Sequence, residues 1–87
     1  MTSDIKELTA TGNVTTRDAY LALVVLTAGA DAASAVLRAG GSGGTVELSV
    51  KATAGATTVV PVPSAFFGGG IHATLTGTSP TLSVCWE

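Results

Sequence analysis

Turn signals built on glycine recur at short intervals along this 87-residue chain, and they constrain its fold more than any other feature. Each glycine marks a point where the backbone can adopt angles that other residues avoid. The intervening segments are mostly about 6–12 residues long, a spacing typical of a sandwich or barrel of short strands. The turns are Thr11-Gly12-Asn13, Ala28-Gly29-Ala30-Asp31, residues 40–44, Ala54-Gly55-Ala56, residues 68–70 and Gly77-Thr78-Ser79-Pro80.

Three segments alternate apolar and polar residues with the period of a β-strand. Successive side chains of a strand point to opposite faces, so each segment has one face for a core and one for solvent. Threonine and valine, which favour strands, are frequent in them. The apolar positions are Val46, Leu48, Val50 and Ala52, then Ile71, Ala73 and Leu75, then Leu82, Val84 and Trp86.

The segment 20–26 differs, because it is apolar on both faces. As a strand it should be central in its sheet, with the domain core on one side and a second layer or a neighbouring subunit on the other. A helix capped by Thr16 or Asp18 is the competing interpretation. The β-branched residues, the short length and the following Gly29 favour a strand.

The remaining segments are also predicted as strands. Residues 21–26 and 34–39 bracket the sequence AGADA, which indicates a hairpin, although the alanines of 32–39 also allow a helical turn. Proline cannot donate to a ladder, so the strand over 57–62, with Pro61 and the nearby Pro63, should lie at an edge or leave the sheet there. Residues 5–10 supply a first strand.

These patterns together predict one all-β domain over residues 1–87, with residues 1–7 as a candidate N-terminal arm. The expected fold is a small antiparallel β-sandwich, jelly-roll-like or Ig-like, of about six to eight short strands.

A chain of this size lies near the lower limit for folding without disulfides, metals or partner subunits. Cys85 is the only cysteine and His72 the only histidine, so neither an intrachain disulfide nor a structural zinc site can be assembled. Only 11% of residues are charged, against about 25% in a typical soluble domain. Wide neutral surface favours association, so we expect a homo-oligomer. A soluble monomer rich in surface Thr and Ser is the alternative.

Charge and hydropathy argue against two classes of partner. The net charge is −2 and the four basic residues are scattered singly, so we expect no nucleic-acid binding. The most apolar run, 19–26, is far shorter than the ~18–20 residues of a membrane span, so we expect no membrane partner. The N-terminal sequence MTSDIKELT lacks the pattern of a secretory signal, which favours synthesis in a cytoplasm.

No residue pattern indicates catalysis, and we expect neither an enzyme nor a cofactor. His72 lies on the polar face of its strand without a nucleophile elbow nearby, so we expect an exposed or interface residue. Cys85 alternates with Val84 and Trp86 and has no neighbouring base, which predicts a small side chain at a sheet surface or interface. The glycine clusters lack the lysine of a phosphate loop. A carboxylate pair is the only catalytic alternative.

The aromatic residues indicate where a partner would bind. Phe66 and Phe67 are adjacent, so an extended backbone sends one into the core and leaves the other as an anchor for a partner. A bend in the loop would instead bury both. Trp86 indicates that the C-terminal segment is held against the domain. The candidate interface residues are Ile5, Leu8, Tyr20, Phe66, Phe67 and Trp86.

Two stretches resemble parts of small structural proteins encoded in tailed-phage genomes. GATTVVPVP at 55–63, followed by FFGGGIHATLTGTSPTLSV, resembles their C-terminal part, and VVLTAGADAASAVLRAGGSGGTV resembles their middle. The similarity runs from roughly Leu8 to Trp86 and consists of turns and strands, so it transfers no catalytic residue.

The resemblance implies a virion component, and among these we favour a capsid decoration or cement protein at the capsid surface. Its subunits, for example as trimers on local threefold axes, would bind over junctions of the major capsid protein and stabilise the shell. Residues 1–7, 41–44 and 66–70 are the candidate contact elements. Two alternatives stay open: a tail, head-fibre or baseplate component that contacts host or glycan, and a free carbohydrate- or peptide-binding module.

Overall fold

The computed structural model describes residues 4–87, and within them every regular element is a β-strand. This confirms the predicted all-β class at the upper end of the expected strand number. The eight strands are β1 (Asp4–Leu8), β2 (Gly12–Thr15), β3 (Ala19–Thr27), β4 (Ala33–Ala39), β5 (Thr45–Ala52), β6 (Thr57–Phe67), β7 (Ile71–Thr76) and β8 (Thr81–Trp86).

The strands form two four-stranded antiparallel sheets. The first sheet has the order β1-β8-β3-β6 and the second sheet the order β2-β7-β4-β5. The pairs β1–β8, β2–β7, β3–β6 and β4–β5 are nested from the chain ends inward. Nested pairing over eight strands is the arrangement of a jelly roll, in which one long antiparallel ribbon folds over into two sheets.

The core lies between the inner faces of the two sheets. Burial of one large apolar side chain contributes about 1.5–3 kcal/mol to the free energy of folding. The layer between the sheets is therefore the main stabilising feature of a chain without a disulfide. The surface area of 4566 Å² agrees with the ~4,600 Å² expected for a compact fold of 8.5 kDa. The largest fully buried side chains are Phe67, Leu21, Leu26, Leu37, Ile71, Leu82, Val24 and Val84.

β3 is a strand, and the helical alternative for this segment is wrong. It lies between β8 and β6, and its register shifts against both neighbours between Leu21 and Leu23. Against β8 the shift is a β-bulge with one extra residue in β3, which lets Leu21 and Val24 both point into the core, and against β6 the two extra residues lie in β6. Leu23 and Val25 therefore lie on the outer face of the first sheet, where they are half-buried.

The predicted hairpin between residues 21–26 and 34–39 is wrong. β4 is a strand, as expected, but it pairs with β5 and β7 in the second sheet, whereas β3 belongs to the first. The connection through Gly29 crosses between the sheets instead of reversing within one. A Cβ at Gly29 would overlap the carbonyl oxygen of Thr78, so the crossing packs directly against the β7–β8 turn.

The edge position predicted from the prolines is confirmed, since β6 is an edge strand of the first sheet. It continues past Pro61 and Pro63 to Phe67, with Ser64 at a positive φ of 56°.

Residues 4–7 of the candidate arm belong to β1, which pairs with β8. Residues 1–3 lie outside the described residues. Trp86 is the last residue of β8 and packs against the core, so this end of the chain is held in the sheet.

The turn before β7 approaches the backbone of Thr15 and Thr16 closely at Gly70. Gly70 and Gly41 have nearly equal φ angles of 114° and 112°. A Cβ at Gly70 would overlap the carbonyl oxygen of Thr15 and lie 2.9 Å from the Cα of Thr16, whereas a Cβ at Gly41 meets nothing within 4 Å. We expect Gly70→Ala to destabilise the domain by about 1–3 kcal/mol more than Gly41→Ala, as urea denaturation would measure. Equal losses would contradict the described approach.

Candidate interaction surface

The outer face of the first sheet carries one continuous apolar row across its four strands, and Glu7 and Ser83 are polar members of the next row. The strand register aligns Ile5 with Cys85, Cys85 with Leu23, and Leu23 with Pro61. It also aligns Val25 with Val59 and Tyr20 with Phe66. We call this surface the apolar face, and its residues are Ile5, Tyr20, Leu23, Val25, Val59, Pro61, Phe66 and Cys85.

Water reaches much of the apolar face. Ile5, Tyr20, Val59 and Phe66 are 73%, 49%, 57% and 53% exposed. They are four of the five large apolar side chains that are exposed among residues 4–87, and the fifth, Val46, lies on β5 of the second sheet. Eight side-chain positions, on strands about 4.8 Å apart and two residues apart along each strand, cover on the order of 250 Å². Monomers also carry exposed apolar patches of a few hundred Å², and the largest patch of a domain is often a functional surface.

The outer face of the second sheet has the opposite character. Ser34 lies opposite Thr76 on β7 and Lys51 on β5, and the hydroxyl groups of Ser34 and Thr76 are hydrogen-bonded. Arg38 lies opposite His72, and its guanidinium donates a hydrogen bond to the carbonyl oxygen of Gly44. The second sheet therefore has a largely polar outer face with two basic side chains, on which Val36 and Val46 also lie, and the first sheet has an outer face crossed by a continuous apolar row.

The six predicted interface residues divide into two groups. Ile5, Tyr20 and Phe66 lie together on the apolar face, where they are exposed. Phe67 is only 1% exposed and fills the core, so the adjacent phenylalanines point to opposite sides as their spacing predicts. Leu8 and Trp86 are half-buried and pack against the core, which leaves less of each for a partner.

Four further members of the apolar face were not among the predicted interface residues. Leu23 and Val25 belong to the two-sided apolar pattern of β3, whose second side was expected to meet a second layer or a neighbouring subunit. Val59 and Pro61 alternate with Val60 and Val62, which pack against the core. The alternation within β6 could have predicted that Val59 and Pro61 face outward. The two prolines were used only to predict that the strand lies at an edge of its sheet.

A shallow depression lies at one end of the apolar face, lined by Asp18, Tyr20, Ser64 and Glu87. The rings of Tyr20 and Phe66 pack beside it, with centroids 5.2 Å apart and planes inclined at 51°. A Cβ at Gly68 would lie 3.2 Å from Cε2 of Phe66, so the missing side chain makes room for this ring. The backbone of Tyr20 exchanges two hydrogen bonds with that of Glu87, at 2.9 and 2.8 Å.

His72 lies on the polar outer face, but its expected exposure is wrong, since it is only 8% exposed. It occupies the central strand β7 of its row, with Asn13 opposite it on β2 and Arg38 opposite it on β4. The side chains of Asn13 and Arg38 flank it on that face and limit the access of solvent. Its buried Nδ1 has no hydrogen-bond partner among residues 4–87. A buried polar atom without a partner destabilises the fold by about 1–3 kcal/mol.

Replacement of His72 by an apolar residue should therefore not destabilise the domain. We expect His72→Leu to leave the free energy of unfolding unchanged or to raise it by about 1 kcal/mol, because the unpaired Nδ1 is removed. Thr74→Val, at the next outward position of β7, controls for the effect of a more apolar face. A loss of more than about 1 kcal/mol in His72→Leu alone, measured by urea denaturation, would reveal a hydrogen bond that the structure lacks.

Two further structural features are absent among the described residues. Within residues 4–87 no three His, Cys, Asp or Glu side chains come together to hold a metal ion. The same residues form no helix that is long and apolar enough to cross a membrane. Comparison with protein-family models, with curated proteins and with solved structures gives no match for the chain. Its function is therefore inferred from the apolar face, the composition and the resemblance given above.

Proposed function

We propose that this chain is a non-enzymatic structural subunit of a tailed-phage virion, a capsid decoration or cement protein. It would bind over junctions between major capsid proteins and stabilise the assembled shell. The observation that carries the proposal is the apolar face, because the largest exposed apolar patch of a domain is often a surface that binds a partner. The low charge content and the resemblance to phage structural proteins support it.

The size of the apolar face suits a contact that is repeated many times. Covering on the order of 250 Å² at ~25 cal/mol per Å² contributes about 6 kcal/mol before the cost of association is taken into account. Loss of translational and rotational freedom costs roughly 4–15 kcal/mol, so a single contact of this size binds weakly. Joining several copies makes the later contacts intramolecular, which strengthens attachment without a new surface. A homo-oligomer, such as a trimer on a local threefold axis, supplies this multiplicity.

The contrast between the two outer faces suits a place on the capsid surface. With the apolar face against the shell, the second sheet would meet solvent with Ser34, Thr76, Arg38 and Lys51. Such a subunit needs no cofactor, membrane or nucleic-acid contact, and it would join the capsid after synthesis in the host cytoplasm.

A second candidate function is favoured by the depression between Asp18 and Glu87. Exposed aromatic rings beside polar groups suit a ligand with an apolar side and hydrogen-bonding groups, such as a glycan. The chain would then be a tail, head-fibre or baseplate component, or a free carbohydrate- or peptide-binding module. The depression is a small part of the apolar face, so this candidate leaves Ile5, Leu23, Val25 and Val59 without a role.

Two matched valines test whether the apolar face binds the capsid. Val59 on β6 and Val46 on β5 are similarly exposed, at 57% and 45%, but only Val59 belongs to the apolar face. We expect light scattering to find a homo-oligomer and sedimentation to find it on expanded capsids from the same source. Val59→Asp should weaken capsid binding at least about tenfold, because a carboxylate would be buried in the contact, and Val46→Asp should leave it within about twofold.

Three results would overturn the proposal. A stable monomer that fails to sediment with capsids would remove the assembly function itself. Equal sensitivity of the two valine sites would move the contact away from the apolar face. Saturable glycan binding by such a monomer would favour the second candidate instead.

A further inference from the structure

The depression beside Tyr20 combines an aromatic wall with acidic groups. Its lining residues are Asp18, Tyr20, Ser64 and Glu87, so two of the four are acidic, and the ring of Phe66 packs against that of Tyr20. Tyr20 and Phe66 are each about half-exposed, at 49% and 53%, so part of each side chain is accessible to a ligand. The depression therefore places aromatic surface beside two acidic residues.

The surrounding backbone holds these groups in place. Asp18 accepts a hydrogen bond through Oδ1 from the backbone N–H of Gly69, at 2.7 Å. Its second carboxylate oxygen has no hydrogen bond among the described residues and is left for a ligand. The paired backbones of Tyr20 and Glu87 hold the opposite wall. A site on strands held in this way needs little ordering when a ligand binds.

No basic side chain of the described residues lines the depression to balance its charge. Lys6 donates instead to the carbonyl oxygen of Asn13, at 3.3 Å, and Arg38 donates to that of Gly44. Lys51 lies opposite Ser34 in the second sheet. Arg17 precedes Asp18 in the chain but does not belong to the lining. A cationic ligand would therefore meet no competing basic side chain in the depression.

We propose that this depression binds the guanidinium group of an arginine side chain from a protein partner. A planar guanidinium can stack on the ring of Tyr20 or Phe66 and donate a charge-assisted hydrogen bond to the second carboxylate oxygen of Asp18. A lysine ammonium lacks the planar fork, and a neutral sugar hydroxyl would leave two carboxylates uncompensated. The site lies at the end of the apolar face. Arginine is frequent among the buried residues that contribute most to binding at protein interfaces.

The inference adds a partner chemistry to the proposed function, but it is tested without capsids. If the capsid experiment fails, the arginine site can still stand, and if the arginine site fails, the apolar face can still bind a shell. The probe is N-acetyl-arginine methylamide, with its neutral isostere, the citrulline analogue, as the matched comparison. Two-dimensional NMR follows the backbone amides of Gly69 and Glu87, which donate to Asp18 and Tyr20.

We expect saturable shifts of both amides with a Kd on the order of 10 mM for the arginine probe. The citrulline analogue should bind at least about fivefold more weakly, since it lacks the charge. Asp18→Asn keeps an acceptor for Gly69 and removes the charge, so it should weaken arginine binding at least about threefold. Phe66→Leu should also weaken binding, because it removes the ring and keeps apolar volume.

Asp31→Asn is the control, since Asp31 is an exposed carboxylate that also accepts one hydrogen bond, from Thr78 at 2.7 Å. It should leave binding unchanged. The inference is overturned if the citrulline analogue or methyl glucoside binds as tightly as the arginine probe. It is equally overturned if Asp31→Asn and Asp18→Asn weaken binding alike, or if no saturable shift occurs while the spectrum is that of the folded domain.

Discussion

The packing of β3 is the interaction on which the rest of the structure depends. Its inward side chains supply Leu21, Val24 and Leu26 to the core, while its backbone pairs with β8 on one side and β6 on the other. The bulge between Leu21 and Leu23 lets the strand keep these side chains in the core despite a break in alternation. The outward residues of the same strand form the centre of the apolar face, so the core and the apolar face share one segment.

Alternation of apolar residues predicted strands at β5, β7 and β8 because burial on one face is a local property of a strand. Strand partners are a different matter. β1 pairs with β8 across almost the whole chain, and no local pattern in either strand specifies the other. The wrong hairpin between β3 and β4 has the same origin, since AGADA indicates a turn but not whether that turn stays in one sheet. For His72, the alternation of apolar and polar residues predicted the face of the sheet on which the side chain lies. It did not predict that the folded chain buries the side chain there.

The candidate site was predictable to a similar degree. The adjacent phenylalanines had to divide between core and surface in an extended strand, and Phe66 is the exposed one. That Ile5, Leu23, Val59 and Phe66 share a surface depends on the order β1-β8-β3-β6, which only the folded chain reveals. The functional account follows from the physical contrast between this surface and the polar second sheet. An apolar outer face favours a function in which that face is bound to a partner.

Cys85 makes the central claim directly measurable, because it is the only cysteine of the chain and lies on the apolar face beside Ile5 and Leu23. Its half-buried thiol should react with a maleimide in the free subunit. We expect the modification rate to fall at least about tenfold when the subunit is bound to capsids, because thiol reactivity depends on access. An unchanged rate in fully occupied particles would place the contact on another surface and contradict the account.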